Sequence, residues 1–289
     1  MLLPTHPPPP NSIINGRSGA IDAVANLAYH RNYIFAGTLD PVVSPNNSHQ
    51  LETFFLAFQS SSQILTEFTL AAGHSQPTDS YGNPCYTTLV PYIVNCDYDS
   101  AGALLQHMYA TDTLSARVSM VSANLVEFDQ TPFSGDSFQS SGYVYVPTAC
   151  QTGSLCSLHV AFHGCTQNTL SSNIGLDFVS YAGYNTWAEA NNIIILYPQV
   201  QESTLNPEAC WDWWGYSGSN YATKSGSQMV AVKAMVDTIM AGSPTSPSPS
   251  STPTASPTHK PSSSPMTSPW PPLSLVLIFA FILSCILHL

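Results

Sequence analysis

Charged side chains are scarce in this sequence of 289 residues. They make up 8% of it, and 6 Lys plus Arg stand against 17 Asp plus Glu, for a formal net charge of −11. So few basic side chains cannot form the phosphate-contacting surface of a nucleic-acid-binding protein, which excludes nucleic acid as a partner. Little charge together with 11% aromatic residues favours a compact secreted protein that handles an uncharged or apolar substrate.

Several functional signatures are also missing. The sequence has no Cys-x-x-Cys pair, its cysteine spacings do not resemble zinc sites, and it lacks paired carboxylates or ligand clusters. These absences argue against an aspartyl or metal-dependent hydrolase, and we expect neither a metal nor a cofactor. The Pro-rich leader, residues 1–14, lacks the apolar stretch of a signal peptide.

Seven cysteines point to an oxidising compartment. Two pairs each bracket a short loop and close it locally, and a third pair joins two segments that carry functional-looking motifs. We therefore expect three disulfides: Cys85–Cys96, Cys150–Cys156 and Cys165–Cys210. The alternative is a set of buried free thiols in a cytosolic enzyme.

Residues 158–165 form an apolar run that ends in a tight loop, His163-Gly164-Cys165. This pattern predicts a buried strand, and in α/β hydrolases the backbone N–H groups of such a loop can face a developing oxyanion. The alternative is a core strand followed by an ordinary glycine turn. Strands and helices alternate along the chain, which predicts an α/β fold with a mainly parallel sheet.

Two polar side chains follow predicted strands. Asp40 lies just beyond the strand at residues 32–36, and His74 follows the strand at residues 64–70. Functional groups of open α/β sheets collect at the carboxyl ends of strands. A carboxylate that orients an imidazole, and an imidazole that accepts a hydroxyl proton, are two parts of a nucleophilic triad.

A long loop at residues 199–219 carries Trp211, Trp213 and Trp214. Three tryptophans in four positions are unusual in a solvent-exposed loop, because their apolar area favours burial. They either line a binding groove or fold back into the core.

The sequence resembles the secreted polyhydroxybutyrate (PHB) depolymerase family over residues 15–240. The motifs that carry the resemblance are Phe35-Ala36-Gly37-Thr38-Leu39-Asp40-Pro41-Val42-Val43, Gly73-His74-Ser75-Gln76-Pro77-Thr78-Asp79, His163-Gly164-Cys165, Tyr184-Asn185-Thr186-Trp187-Ala188 and Cys210-Trp211-Asp212-Trp213-Trp214-Gly215-Tyr216. The resemblance implies an α/β-hydrolase-like, circularly permuted fold. It also implies a monomeric enzyme with a serine nucleophile, whose substrate is a polyester or short-acyl ester.

Carried over to this sequence, the resemblance makes Asp40 the triad acid and His74 the general base. Cys165 would donate its backbone N–H to the oxyanion hole, and a disulfide to Cys210 would hold that loop rigid. The substrate groove would be lined by one or more of the tryptophans Trp211, Trp213 and Trp214.

The nucleophile is where the sequence departs from the family. The family's Gly-x-Ser-x-Gly box lies on the N-terminal side of the acid, and nothing before Asp40 supplies it with its strand and helix. Gly16-Arg17-Ser18-Gly19-Ala20 mimics the box, but residues 11–15 are too short and polar for a buried strand. Ser75 is disfavoured because adjacent residues of an extended loop point apart. We therefore expect the fold to be incomplete at its N-terminus, without the nucleophile segment.

The chain divides into the leader, a hydrolase-like domain at residues 15–242, a Ser/Thr/Pro-rich stalk at 243–270 and a hydrophobic tail at 271–289. The stalk resembles an O-glycosylated one, and the uncharged tail fits a GPI-attachment signal or a short membrane anchor. Asn46 opens an N-glycosylation sequon. We expect an extracellular or cell-surface protein held to the membrane by its tail.

Two functions fit this sequence. The first is an extracellular carboxylic ester hydrolase in which Asp40, His74 and Cys165 act at one centre. The second is a catalytically inactive surface protein that binds polyester, glycan or lipid through the tryptophan loop.

Overall fold

The computed structural model describes residues 19–109, 113–133, 135 and 137–242. The leader at 1–14, Ser18, the stalk at 243–270 and the tail at 271–289 lie outside the described residues, so the expectations for them stay predictions. Within the described ranges, no helix combines the length and the apolar character needed to cross a bilayer.

Three sheets account for the strands of the described ranges. The strands are β1 Asn32–Phe35, β2 Ile64–Glu67, β3 Gln76–Thr78, β4 Asn83–Pro84, β5 Ile93–Asn95, β6 Leu125–Asp129, β7 Ser141–Tyr145, β8 Ser157–Val160 and β9 Ile193–Tyr197. β1 pairs with β2, β5 lies between β3 and β4, and the third sheet has the order β6-β7-β9-β8. All pairings are parallel except β6–β7 and β7–β9, so the expectation of a mainly parallel α/β architecture is confirmed.

Helices flank these sheets. The α-helices are α1 Pro45–Leu56, α2 Ser100–Met108, α3 Thr148–Gln151, α4 Asp177–Tyr181, α5 Tyr184–Asn191 and α6 Ser227–Met240. Short 3₁₀ helices lie at Val24–Tyr29, Ser61–Gln63 and Ser122–Asn124.

The four-stranded sheet is packed on both faces. Ile195 and Tyr197 of β9 belong to a core cluster with α2, α4 and α5, whereas Leu196 belongs to a second cluster with Trp211 and α6. This alternation follows from the two-residue period of a strand, which sends successive side chains to opposite faces. Burial on both faces explains why β9 reads as a continuous apolar run.

The structure differs from the sequence expectations in two places. Residues 75–96 lack the alternating hydrophobic pattern of strands and read as a loop, but they contain β3, β4 and β5, which are too short to show such a pattern. Residues 174–192 have the pattern of a single helix, but the structure splits this segment into α4 and α5. Gly183 separates them at φ +98°, in the left-handed region that glycine enters without steric cost and that a continuous helix does not use.

Candidate active site

The loops after β1 and β2 bring Asp40 and His74 together. The two strands are parallel, with Phe35 opposite Glu67, so their carboxyl ends lie at one edge. Backbone hydrogen bonds continue past the strands, and the last of them runs from the Leu39 N–H to the Ala72 carbonyl (3.1 Å). One residue after Leu39 and two after Ala72, Asp40 Oδ2 and His74 Nδ1 lie 2.8 Å apart.

The Asp40 carboxylate is held by three hydrogen bonds. Its Oδ1 accepts from the backbone N–H groups of Val42 (2.7 Å) and Val43 (2.8 Å), and its Oδ2 faces His74. Burial raises the pKa of Asp40, but the hydrogen bonds from His74 and the two valine amides outweigh it, and the net pKa is lowered. The side chain, 9% exposed, is therefore a fixed anion that can orient an imidazole and stabilise its charged form.

The His74 loop rests on the segment closed by the Cys85–Cys96 disulfide. The Gly73 N–H donates to the Cys85 carbonyl (2.9 Å), and the His74 N–H donates to Thr88 Oγ1 (2.8 Å). With its Nδ1 on Asp40 and its side chain 27% exposed, the imidazole can serve as a proton acceptor at Nε2.

Ser75 is not poised as a nucleophile. Its hydroxyl donates to the carbonyl oxygens of His74 (2.6 Å) and Thr87 (3.2 Å). A hydroxyl committed to backbone acceptors has no geometry for attack, which agrees with the argument from the sequence. Ser18 lies outside the described residues.

The His163-Gly164-Cys165 loop follows β8 and is bound to the tryptophan loop by the Cys165–Cys210 disulfide. The other two expected disulfides, Cys85–Cys96 and Cys150–Cys156, are also present, so the full pairing is confirmed. Thr166 has φ +54°, which is rare for a β-branched residue and marks a strained backbone of the kind found at functional sites.

Gln167 connects this loop to the His74 side of the site. Its side-chain oxygen accepts from the Gly164 N–H (2.9 Å), and its side-chain nitrogen donates to the carbonyls of Pro91 (3.1 Å) and Tyr92 (3.2 Å). The Tyr92 carbonyl also accepts from the N–H of Gln76 (2.8 Å), two residues after His74. A chain of three hydrogen-bonded segments thus joins the loop of Cys165 to the loop of His74.

The three tryptophans lie in different environments. Trp211 is buried at 6% exposure and packs edge-on against Phe162 in the core. Trp214 is 42% exposed, and its ring packs against that of Trp213, which is half-buried. That the tryptophans line a substrate groove therefore stays a prediction. Of the three, only Trp213 and Trp214 are exposed enough for this role.

Asp212 shapes the turn that carries these two rings. Its Oδ1 accepts from the N–H groups of Gly215 (2.6 Å) and Tyr216 (3.1 Å), and its Oδ2 accepts from the N–H of Ser217 (2.7 Å). Convergent amides on one carboxylate fix a turn in the way that Asx motifs do. Within the described ranges, no group of three or more His, Cys, Asp or Glu side chains could hold a metal ion.

Comparison with known proteins gives the family. No family model matches the chain. The chain is 43% identical over 236 residues to the poly(3-hydroxybutyrate) depolymerase of Delftia acidovorans, a match that covers 80% of this chain and 47% of that protein. It is 39% identical over 239 residues to the polyhydroxybutyrate depolymerase of Talaromyces funiculosus, covering 77% of this chain and 69% of that protein. The chain belongs to the PHB depolymerase family.

Solved PHB depolymerases share the fold. The crystal structure of PHB depolymerase from Penicillium funiculosum superposes with a TM-score of 0.75 at 36% identity, covering 80% of this chain and 77% of that one. A serine-to-alanine variant of PHB depolymerase complexed with an R3HB trimer gives the same TM-score and identity over 82% of this chain and 80% of that one. The α/β-hydrolase type of fold implied by the resemblance is confirmed. The matched region spans about half the length of the Delftia acidovorans depolymerase.

The PHB depolymerase motifs located the loops of the site but did not assign a role to every residue in them. The sequence singled out the His163-Gly164-Cys165 loop without a role for His163, and it gave none to Gln167 or Asp212. A polar residue in an apolar run, as at His163, is a signal of a buried hydrogen-bonding role. The sequon residue Asn46 is exposed in the first turn of α1.

Proposed function

We propose that this chain is an extracellular carboxylic ester hydrolase that cleaves poly(3-hydroxybutyrate) or related short-acyl esters. The observation that carries the proposal is the 2.8 Å hydrogen bond between Asp40 and His74 at the carboxyl edge of β1 and β2. Family membership supports the substrate class, because the relatives are named PHB depolymerases and one solved structure holds an R3HB trimer. The scarcity of charge in the chain suits an uncharged polyester.

The reaction is acyl transfer through a serine ester. A serine hydroxyl attacks the ester carbonyl carbon while His74 Nε2 takes its proton, and the carbonyl oxygen becomes an oxyanion that accepts from the Cys165 N–H. Collapse of this intermediate breaks the C–O bond, and His74 returns the proton to the departing oxygen, which leaves as a hydroxyl end. Water repeats the sequence on the acyl-enzyme and releases the carboxylate end. Asp40 remains ionised throughout and stabilises the imidazolium.

We assign the nucleophilic serine to the Gly-x-Ser-x-Gly segment that precedes the triad acid in the family, and this segment is not among residues 1–289. Residues 19–242 contain no Gly-x-Ser-x-Gly box, and the Ser75 hydroxyl is committed to backbone carbonyls. A fluorophosphonate probe, which labels an activated serine, identifies the residue by peptide mapping.

Location and attachment form the second part of the proposal. Three disulfides support an oxidising compartment, and the exposure of Asn46 suits a glycan. The uncharged tail at 271–289, behind a Ser/Thr/Pro-rich stalk, supports a GPI anchor in preference to a membrane span. A monomer would then act from the cell surface. Release of the protein by a GPI-specific phospholipase tests this attachment, and retention on the membrane contradicts it.

The decisive assay uses the full-length protein, disulfide-bonded and carrying that nucleophile segment, and the (R)-3-hydroxybutyrate trimer. Wild-type protein is expected to release monomer and dimer, and His74→Ala is expected to lower the rate by at least about 10³-fold. His49→Ala is the matched control, because His49 lies on α1 with a side chain 54% exposed beside Glu52. The control should keep the wild-type rate.

Two results would overturn the proposal. Equal hydrolysis by wild type and His74→Ala would remove the imidazole from the reaction. Folded full-length protein that binds the trimer, takes no fluorophosphonate label and releases no product would instead be the inactive polyester-binding protein.

A further inference from the structure

Both ring nitrogens of His163 are committed to backbone partners. The residue is 3% exposed, the Val200 N–H donates to its Nε2 (3.2 Å), and its Nδ1 lies 2.7 Å from the Gly164 carbonyl oxygen. Because Nε2 accepts, the ring proton is on Nδ1 and is donated to Gly164. Burial lowers the pKa of His163 to about 4, so this neutral tautomer is the form present at neutral pH.

The position of the Gly164 carbonyl decides where the next N–H points. A peptide unit is planar and trans, so the Gly164 C=O and the Cys165 N–H belong to one rigid plane and point in opposite directions. The bond from His163 draws the carbonyl towards the buried ring. The Cys165 N–H is therefore directed away from that ring.

The neighbouring amides of the loop already have acceptors. The Gly164 N–H donates to the Gln167 side chain (2.9 Å) and the Thr166 N–H donates to the Glu208 carbonyl (2.6 Å). Among the described residues, none accepts from the Cys165 N–H. A donor fixed in place without an internal acceptor is what an oxyanion site requires.

His163 is itself held by a buried amide network. The Gln139 side chain donates to the Val200 carbonyl (3.2 Å), and the Gln130 side chain donates to the Gln199 carbonyl (2.8 Å). All three glutamines are nearly fully buried. Because they fix the backbone of residues 199–200, they fix the N–H that sets the tautomer of His163.

We propose that His163 is a positioning residue that orients the Cys165 N–H towards the substrate oxyanion by holding the Gly164 carbonyl. It does not touch the substrate. Gln167 holds the preceding peptide through the Gly164 N–H and ties it to the segment behind His74. That the Cys165 N–H binds an oxyanion depends on the proposed function. The orientation of the peptide does not.

Two substitutions separate the two bonds of His163. Asn places its amide nitrogen at the position of Nδ1, so His163→Asn can still donate to Gly164 but cannot reach Val200. Gln places its amide oxygen near the position of Nε2, so His163→Gln can still accept from Val200 but loses the bond to Gly164. Both variants remove one ring from the same buried site, and each is therefore the control for the other.

The variants are compared in the full-length protein by trimer hydrolysis, thermal unfolding and the ¹³C shift of the Gly164 carbonyl. We expect His163→Gln to lose about 10²-fold in kcat with KM within about twofold, as for the loss of an oxyanion donor. His163→Asn should keep kcat within about tenfold of wild type. The carbonyl shift should move in His163→Gln and stay in His163→Asn, whatever the melting temperatures.

Each outcome decides the matter. Equal losses of kcat that follow the melting temperature would reduce His163 to a structural residue and overturn the inference. An unchanged carbonyl shift in His163→Gln would do the same. If wild-type protein does not hydrolyse the trimer, the proposed function fails, and the carbonyl shift still decides whether His163 orients this peptide.

Discussion

Replacing Asp40 by asparagine tests the candidate site at one atom. In the structure Oδ1 accepts from the N–H groups of Val42 and Val43, and Oδ2 faces His74 Nδ1 at 2.8 Å. Asn has one oxygen, and the two amide donors require it on their side. The NH₂ group of Asp40→Asn is thereby forced towards His74.

The consequence is a change of tautomer. An NH₂ group facing Nδ1 makes that nitrogen an acceptor, so the proton of His74 moves to Nε2, where it blocks the uptake of a hydroxyl proton. In serine hydrolases a wrong tautomer of this kind lowers kcat by about 10⁴-fold, or about 5 kcal/mol of transition-state stabilisation. Asp40→Ala leaves the imidazole free to adopt either tautomer, so it should retain more activity than Asp40→Asn.

The assay combines trimer hydrolysis with ¹⁵N NMR of the His74 ring. Asp40→Asn should move the ring proton from Nδ1 to Nε2, and Asp237→Asn is the control because Asp237 pairs with Lys233 on the exposed face of α6. Asp40→Asn with Nδ1 still protonated, or with a kcat within tenfold of wild type, would refute the reasoning. The NMR measurement does not depend on turnover.

Two further predictions concern backbone packing and pH. A Cβ at Gly37 would lie 2.2 Å from the Ala72 carbonyl oxygen. Gly37→Ala should therefore push the two loops apart and lower the rate of trimer hydrolysis by about 10²-fold. The control is Gly135→Ala, because a Cβ there has nothing within 4 Å, and it should match wild type in the same assay. Desolvation lowers the pKa values of half-buried His159 and buried His163 to about 4. Below pH 6.5 the unfolded chain therefore takes up protons that the folded chain does not bind. The free energy of unfolding should therefore fall from pH 6.5 to 4 by up to roughly 1.4 kcal/mol per pH unit for each histidine. Urea titrations measure how this free energy changes with pH. If His159→Phe leaves that pH dependence unchanged, the lowered pKa of His159 is contradicted.

The sequence predicted best where local chemistry decides the outcome. The Cys85–Cys96 and Cys150–Cys156 disulfides each close a short loop, and β1 and β9 are recognisable in the sequence as apolar runs. The three short strands between Gln76 and Asn95 could not be predicted, because they are set by pairing with one another and not by a hydrophobic period. The break at Gly183 lies inside a helical pattern in which one glycine is often tolerated.

The site itself shows where sequence reasoning stops. Asp40 and His74 were identified because each follows a strand, and parallel pairing of β1 with β2 is enough to bring them to one edge. The direction of the Cys165 N–H depends instead on contacts made by residues 37 positions apart, since His163 takes its tautomer from the Val200 amide. No local pattern encodes that pairing. A buried histidine in an apolar run nevertheless indicates that some backbone group needs its hydrogen bond, and here that group is the carbonyl whose peptide carries the proposed oxyanion donor.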